Sequence, residues 1–141
     1  MRFLGSWHKW AGVSLFLLAG ARLAWRIAHR PPALPGHMPR GEQWIAYVAH
    51  ALLYVLMFAV PLSGWLMSSA KGIQTVLFGL WAIPDLLAKD RELGHLLETV
   101  HWGLNLLFAA IVAGHVGAAL KHHFFDKDDV LTRMLPQNGR P

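Results

Sequence analysis

The sequence contains no cysteine. That excludes disulfides, cysteine-ligated zinc, iron–sulfur clusters and thioether attachment of a prosthetic group. Any metal centre must use His, Met, carboxylate or backbone ligands. Charge is scarce as well: 15% of the 141 residues are charged and 55% are hydrophobic. A soluble domain of this size needs a charged shell over most of its surface. Here the apolar residues gather into long blocks, so the expected solvent is a bilayer. Apart from Glu98 near one end, those blocks carry no carboxylate, which argues against a zinc site or a proton pathway.

The abundant residues are unusual ones: nine histidines and seven tryptophans. The formal net charge is +5. In a soluble protein this would raise nucleic acid as a partner. The basic residues flank the apolar blocks, so they are read as topology signals and contacts for anionic headgroups. No nucleic-acid partner is expected. Trp7, Trp10, Trp25, Trp44, Trp65, Trp81 and Trp102 mostly fall at block ends, as an aromatic belt requires.

A spanning helix needs about 20 residues. The first block runs from Trp7 to Trp25, is interrupted by Arg22, and does not read as a cleaved signal peptide, because no small-residue cleavage site follows. Residues 26–43 carry four prolines and three arginines and are expected to be loop. Trp44 to Met67 has no Lys, Arg, Asp or Glu and is the clearest span, with Pro61 and Gly64 near its far end. Ile73 to Pro84 is apolar but too short to cross, and is expected to lie on the surface or re-enter, with Trp81 at headgroup level. A charged run, Asp85 to Glu92, precedes a third span at 96–120. The expectation is a single all-α membrane domain over residues 1–141, a bundle of three transmembrane helices with spans 7–25, 44–67 and 96–120. Lys and Arg counts put the 26–43 loop and the C-terminal tail in the cytoplasm.

Ionisable residues inside a span are expensive and mark function by default. His101 and His115 are fourteen residues apart. That is close to four turns, so they share a face, separated by about 21 Å along the axis. Two haems stacked across a hydrocarbon core of ~30 Å need ligands spaced roughly so, and would let an electron cross in short hops. Partners exist at matching depth: His8 for His101 near one end, His50 for His115 near the other. Neutral imidazole is a good haem-iron ligand. A single intramembrane histidine is commonly hydrogen-bonded to a carbonyl; two on one face, each with a depth-matched partner, favour ligation. Arg22 either snorkels to the inner surface or pairs with a haem propionate. Lys71 on the outer side is a candidate attractant for an anion. His29, His37, His122 and His123 lie in loops or the tail, where solvated roles are expected.

The ordered set of local motifs resembles the bacterial cytochrome b561 family. The motifs are His8-Lys9-Trp10-Ala11-Gly12, Arg22-Leu23-Ala24-Trp25-Arg26, Ala49-His50-Ala51-Leu52-Leu53-Tyr54, Pro61-Leu62-Ser63-Gly64, Phe78-Gly79-Leu80, Ile83-Pro84, Val100-His101-Trp102, Gly114-His115-Val116 and the tail from Lys121-His122-His123-Phe124 to Leu131-Thr132-Arg133-Met134-Leu135-Pro136. The resemblance covers nearly the whole chain and implies a four-helix bundle with two b-type haems in a bacterial inner membrane. It implies that His8 and His101 ligate the outer haem and His115 the inner one. The family's second inner ligand lies on a helix preceding the first span seen here, and the histidine at the position of His50 is not a ligand in the family. Three readings follow for the inner site: a helix missing before Met1, which is the favoured one; substitution by His50; or an inner haem lost or completed by another chain. One or two haems per chain are therefore expected.

The resemblance implies electron transfer between the quinone pool, ubiquinone included, and an outer-side partner. Some members resemble oxidoreductases that oxidise superoxide and reduce ubiquinone. Two alternatives stand beside this: a haem b anchor for a separate dehydrogenase, and a haem-free helical membrane protein. The short outer loops give the first little docking surface, and no internal repeat supports a transporter fragment as the second. A homodimer is compatible with the sequence.

Overall fold

A computed structural model describes residues 2–29, 39–78, 80–121 and 124. Three long helices dominate it: α1 (Arg2–Ala28), α2 (Arg40–Ala70) and α3 (Arg91–Lys121), with a short antiparallel hairpin, β1 (Thr75–Leu77) and β2 (Trp81–Ile83), between α2 and α3. All three helices are long and apolar enough to cross a membrane. The family of helix-rich membrane bundles expected from the sequence is the architecture found.

The helices extend further than hydropathy alone indicates. The 26–43 loop shrinks at both ends, because α1 continues through Arg26 to Ala28 and α2 begins at Arg40, directly after Pro39. A proline just ahead of a helix removes an amide the helix does not need. The third helix starts at Arg91 rather than near residue 96. Its first turn is polar but well capped: the Asp90 carboxylate accepts from the amides of Glu92 (2.9 Å) and Leu93 (3.0 Å). Pro61 lies inside α2; the bundle tolerates it, as membrane helices do when neighbours supply compensating contacts.

Among the described residues few side chains are buried: Ala19, Leu56, Ala70 and Ala119 are the buried hydrophobic ones, whereas Leu17, Leu18, Trp44, Val55 and Leu106 are exposed. Exposed apolar surface at this density suits lipid as the outer solvent. Inside, α2 packs closely on α3 and less extensively on α1, while α1 and α3 make no close backbone contact. Small residues let α2 and α3 approach. A Cβ on Gly94 would fall 3.0 Å from Lys71 Cγ and 3.6 Å from the Ala70 carbonyl carbon. Between α1 and α2, Phe16 and Phe58 meet edge to face at 5.4 Å.

The segment 73–84 takes the form of the hairpin, with Thr75 opposite Ile83 and Leu77 opposite Trp81. It is pinned to the bundle by indoles: Trp10 Nε1 donates to the Val76 carbonyl (2.8 Å) and Trp65 Nε1 to the Pro84 carbonyl (3.1 Å). The connection is tightened where the Asp90 amide donates to the Ala70 carbonyl (2.9 Å) and the Leu86 amide to Ser69 Oγ (3.2 Å). Trp81 is exposed on the hairpin. The hairpin thus covers one end of the bundle, here called the hairpin end.

Candidate functional site

The helix directions decide which histidines meet. α1 and α3 begin at the hairpin end and α2 finishes there, so His8, seven residues into α1's range, and His101, on the third turn of α3, lie at one depth. Their ring centroids are 6.1 Å apart with planes at 80°. His50 and His115 come together toward the opposite end, with centroids 5.2 Å apart and planes at 70°. Both depth-matched pairs inferred from spacing are therefore brought together.

The two pairs differ in their surroundings. His8 and His101 face each other from helices whose backbones do not touch, and they line a cavity of about 360 Å³ together with Lys9, Gly12, Phe16 and Trp65. Two imidazoles binding one metal from opposite sides, each through a metal–nitrogen bond of about 2 Å, put their ring centres roughly 6 Å apart. The 6.1 Å separation meets that requirement. The angle between the planes would not alter that separation, so 80° is compatible with it. A Cβ on Gly12 would meet nothing within 4 Å, so the cavity has a bare wall there. These residues fit a haem iron. His50 and His115 sit between α2 and α3, the most closely packed pair of helices, and at 5.2 Å they are nearer than an iron between them would hold them. That pair fits the same group less well.

His101 is held more firmly than His8. Its Nδ1 lies 2.9 Å from Ser63 Oγ, and the Ser63 hydroxyl also donates to the Val60 carbonyl at 2.8 Å. Asn105 Nδ2 donates to the His101 carbonyl at 2.7 Å. Gly64 clears the space beside the ring, since a Cβ there would be 3.0 Å from His101 Cε1. In the sequence Ser63 and Gly64 stand only as part of the Pro61-Leu62-Ser63-Gly64 motif. Nothing in a linear reading reveals that two α2 residues cradle a ring from α3.

The family model for prokaryotic cytochrome b561 matches residues 2–137. The chain belongs to the prokaryotic cytochrome b561 family. Cytochrome b561 homolog 2 of Escherichia coli K12 is 36% identical over 133 residues, covering 94% of this chain and 70% of that protein. Cytochrome b561 homolog 1 of the same organism is 28% identical over 130 residues, covering 92% and 73%. A probable superoxide oxidase of Yersinia pestis, CybB, is 28% identical over 131 residues, again covering 92% and 73%. Membership brings haem b, a bilayer setting and membrane electron transfer as the family's work.

Arg22 is exposed on α1. Four residues on, Arg26 lies over the Tyr54 ring, 5.2 Å from its centroid, and so ties the end of α1 to α2. Lys71 differs from its expected role: it pairs with Glu98 at 2.9 Å, so its charge is answered locally. Lys9 is the cation on the cavity wall, and its Nζ donates to the Ile73 carbonyl at 3.3 Å. His29 stacks on Trp25 at 3.9 Å, in an exposed position consistent with a solvated role. His37, His122 and His123 lie outside the described residues.

Proposed function

We propose that this chain carries electrons through haem b held between His8 and His101, and that it exchanges them with ubiquinone. The observation that supports this most is the facing pair of imidazoles at 6.1 Å, from two helices whose backbones stand apart, both lining one cavity. Haem supplies the one-electron chemistry; the protein supplies ligation, spacing and exclusion of water. His115 is the proposed ligand of a second haem at the opposite end, with His50 as its candidate partner in this chain. Arg22 is the candidate counter-charge for a propionate.

The proposed setting is the bacterial inner membrane, with the hairpin end outside and the C-terminus in the cytoplasm, as the Lys and Arg distribution indicates. In this orientation the outer donor is superoxide. Each superoxide gives up one electron and leaves as dioxygen, and two such electrons with two protons convert ubiquinone to ubiquinol. Two observations favour that donor: the similarity to a probable superoxide oxidase, and the Lys9 cation on the cavity wall.

The test is a reduced-minus-oxidised absorption spectrum of the purified chain with haem quantified per polypeptide. His101→Ala should lose one bound haem. A wild-type protein that stays colourless with haem supplied during expression would overturn the proposal. His50→Ala separates the options at the opposite end: loss of a haem makes His50 a ligand, and an unchanged count removes it from the site.

A further inference from the structure

Ser63 is buried at 6% exposure on α2, facing α3. Buried serines in membrane helices commonly bond a carbonyl one turn back and need nothing more. Ser63 does this with the Val60 carbonyl. The hydroxyl has a single proton, and a carbonyl can only accept. With that proton committed, Oγ can meet His101 Nδ1 at 2.9 Å only as an acceptor. The imidazole proton is therefore on Nδ1, and Nε2 carries the lone pair. Gly64 makes this possible, because any side chain there would press on the His101 ring.

We propose that Ser63 is a positioning residue for the hairpin-end metal ligand. It fixes His101 in the tautomer whose Nε2 is available to iron, and as an acceptor at Nδ1 it strengthens the imidazole as a donor. The inference rests on the assignment of His101 as a haem ligand. Groups behind a ligating histidine orient its ring and raise its basicity, and their loss typically weakens metal binding by about 10- to 100-fold. A more basic ligand favours ferric over ferrous iron, so Ser63 holds the potential of this haem down. His50 and His115, on other turns of α2 and α3, are untouched by it.

The experiment is a redox titration of the purified full chain, monitored by its haem absorption bands, alongside haem titration, for wild type, Ser63→Ala, Ser63→Thr and Ser63→Cys. Ser63→Ala should raise the midpoint potential of the haem that depends on His101 and weaken its binding within that range, while any second haem keeps its potential. Ser63→Thr, which retains a hydroxyl, should restore both. If Ser63→Ala does not accumulate, Ser63→Cys, a weaker acceptor, should raise the potential by a smaller amount. A Ser63→Ala or Ser63→Cys protein with the wild-type potential would overturn the inference, even if its stability had fallen, because a purely structural serine predicts that result. Failure of the underlying assignment looks different: haem content would be unchanged in His101→Ala.

Discussion

Gly64→Ala isolates the cradle around His101 with a single methyl group. The added carbon would lie 3.0 Å from His101 Cε1, 3.4 Å from Nδ1 and 3.5 Å from Nε2. Unstrained carbon contacts sit at about 3.5–4.0 Å, so the ring must retreat by several tenths of an ångström. It has little freedom to do so: Nδ1 is tied to Ser63 and the carbonyl of the same residue to Asn105. Overpacking of this kind costs about 1–3 kcal/mol. Alanine in place of glycine inside a helix returns up to about 1 kcal/mol. Together they leave a net cost of about 0–2 kcal/mol in the stability of the protein, and only the first acts on the His101 ring. With tenfold in affinity per 1.4 kcal/mol, haem binding at the hairpin end should weaken by about tenfold to a hundredfold. Thermal unfolding in detergent should fall only in step with that net cost. The assay is haem titration into haem-depleted protein, followed by absorption, with Gly41→Ala as control because nothing lies within 4 Å of its added carbon. Wild-type haem affinity in Gly64→Ala would refute the close packing of α2 against the His101 ring.

Other outcomes follow from the same geometry. Lys9→Glu should slow superoxide consumption severalfold, the more so as ionic strength falls, whereas the double change Lys71→Gln with Glu98→Gln should leave the rate near wild type, because it removes both members of a charge-neutral pair; stopped-flow decay of superoxide checks both, and equal sensitivity in the two proteins would remove Lys9 from the entry route. Asp90→Ala should destabilise the protein by about 0.5–2 kcal/mol through loss of the α3 cap, read as a lower unfolding midpoint with an unchanged haem spectrum. Trp10→Phe keeps ring contact with Phe78 but loses the bond to Val76; proteolysis of the hairpin should accelerate, and an unchanged cleavage rate would show that this indole does not hold it.

Much of the architecture was legible in the sequence because a bilayer imposes one-dimensional rules. Hydrocarbon forbids unpaired backbone groups, so a long uncharged run such as Trp44 to Met67 has to be a helix, and scarce charge places the others. Helical periodicity put His101 and His115 on one face, and antiparallel connections set His8 level with one and His50 with the other. The motif order likewise pointed to the family that the comparisons establish. Local polar contacts were less visible. The ends of α1 and α3 lie beyond the apolar cores, since Arg26 on Tyr54 and the Asp90 cap stabilise turns that hydropathy does not register. The hairpin at 75–83 depends on indoles that reach it from α1 and α2.

What the sequence by itself determined is the solvent, the number of spans and the depth of each histidine, because all three depend on composition and rise per residue. Only the tertiary structure decided the surroundings of each histidine pair. It opened a cavity walled by α1, α2 and the hairpin, with His101 reaching it from α3, for one pair and closed α2 on α3 around the other, assigned Lys71 to Glu98, and set Ser63 and Gly64 against His101. Those outcomes depend on which helix faces pack together, and that is set by contacts between residues far apart in the chain.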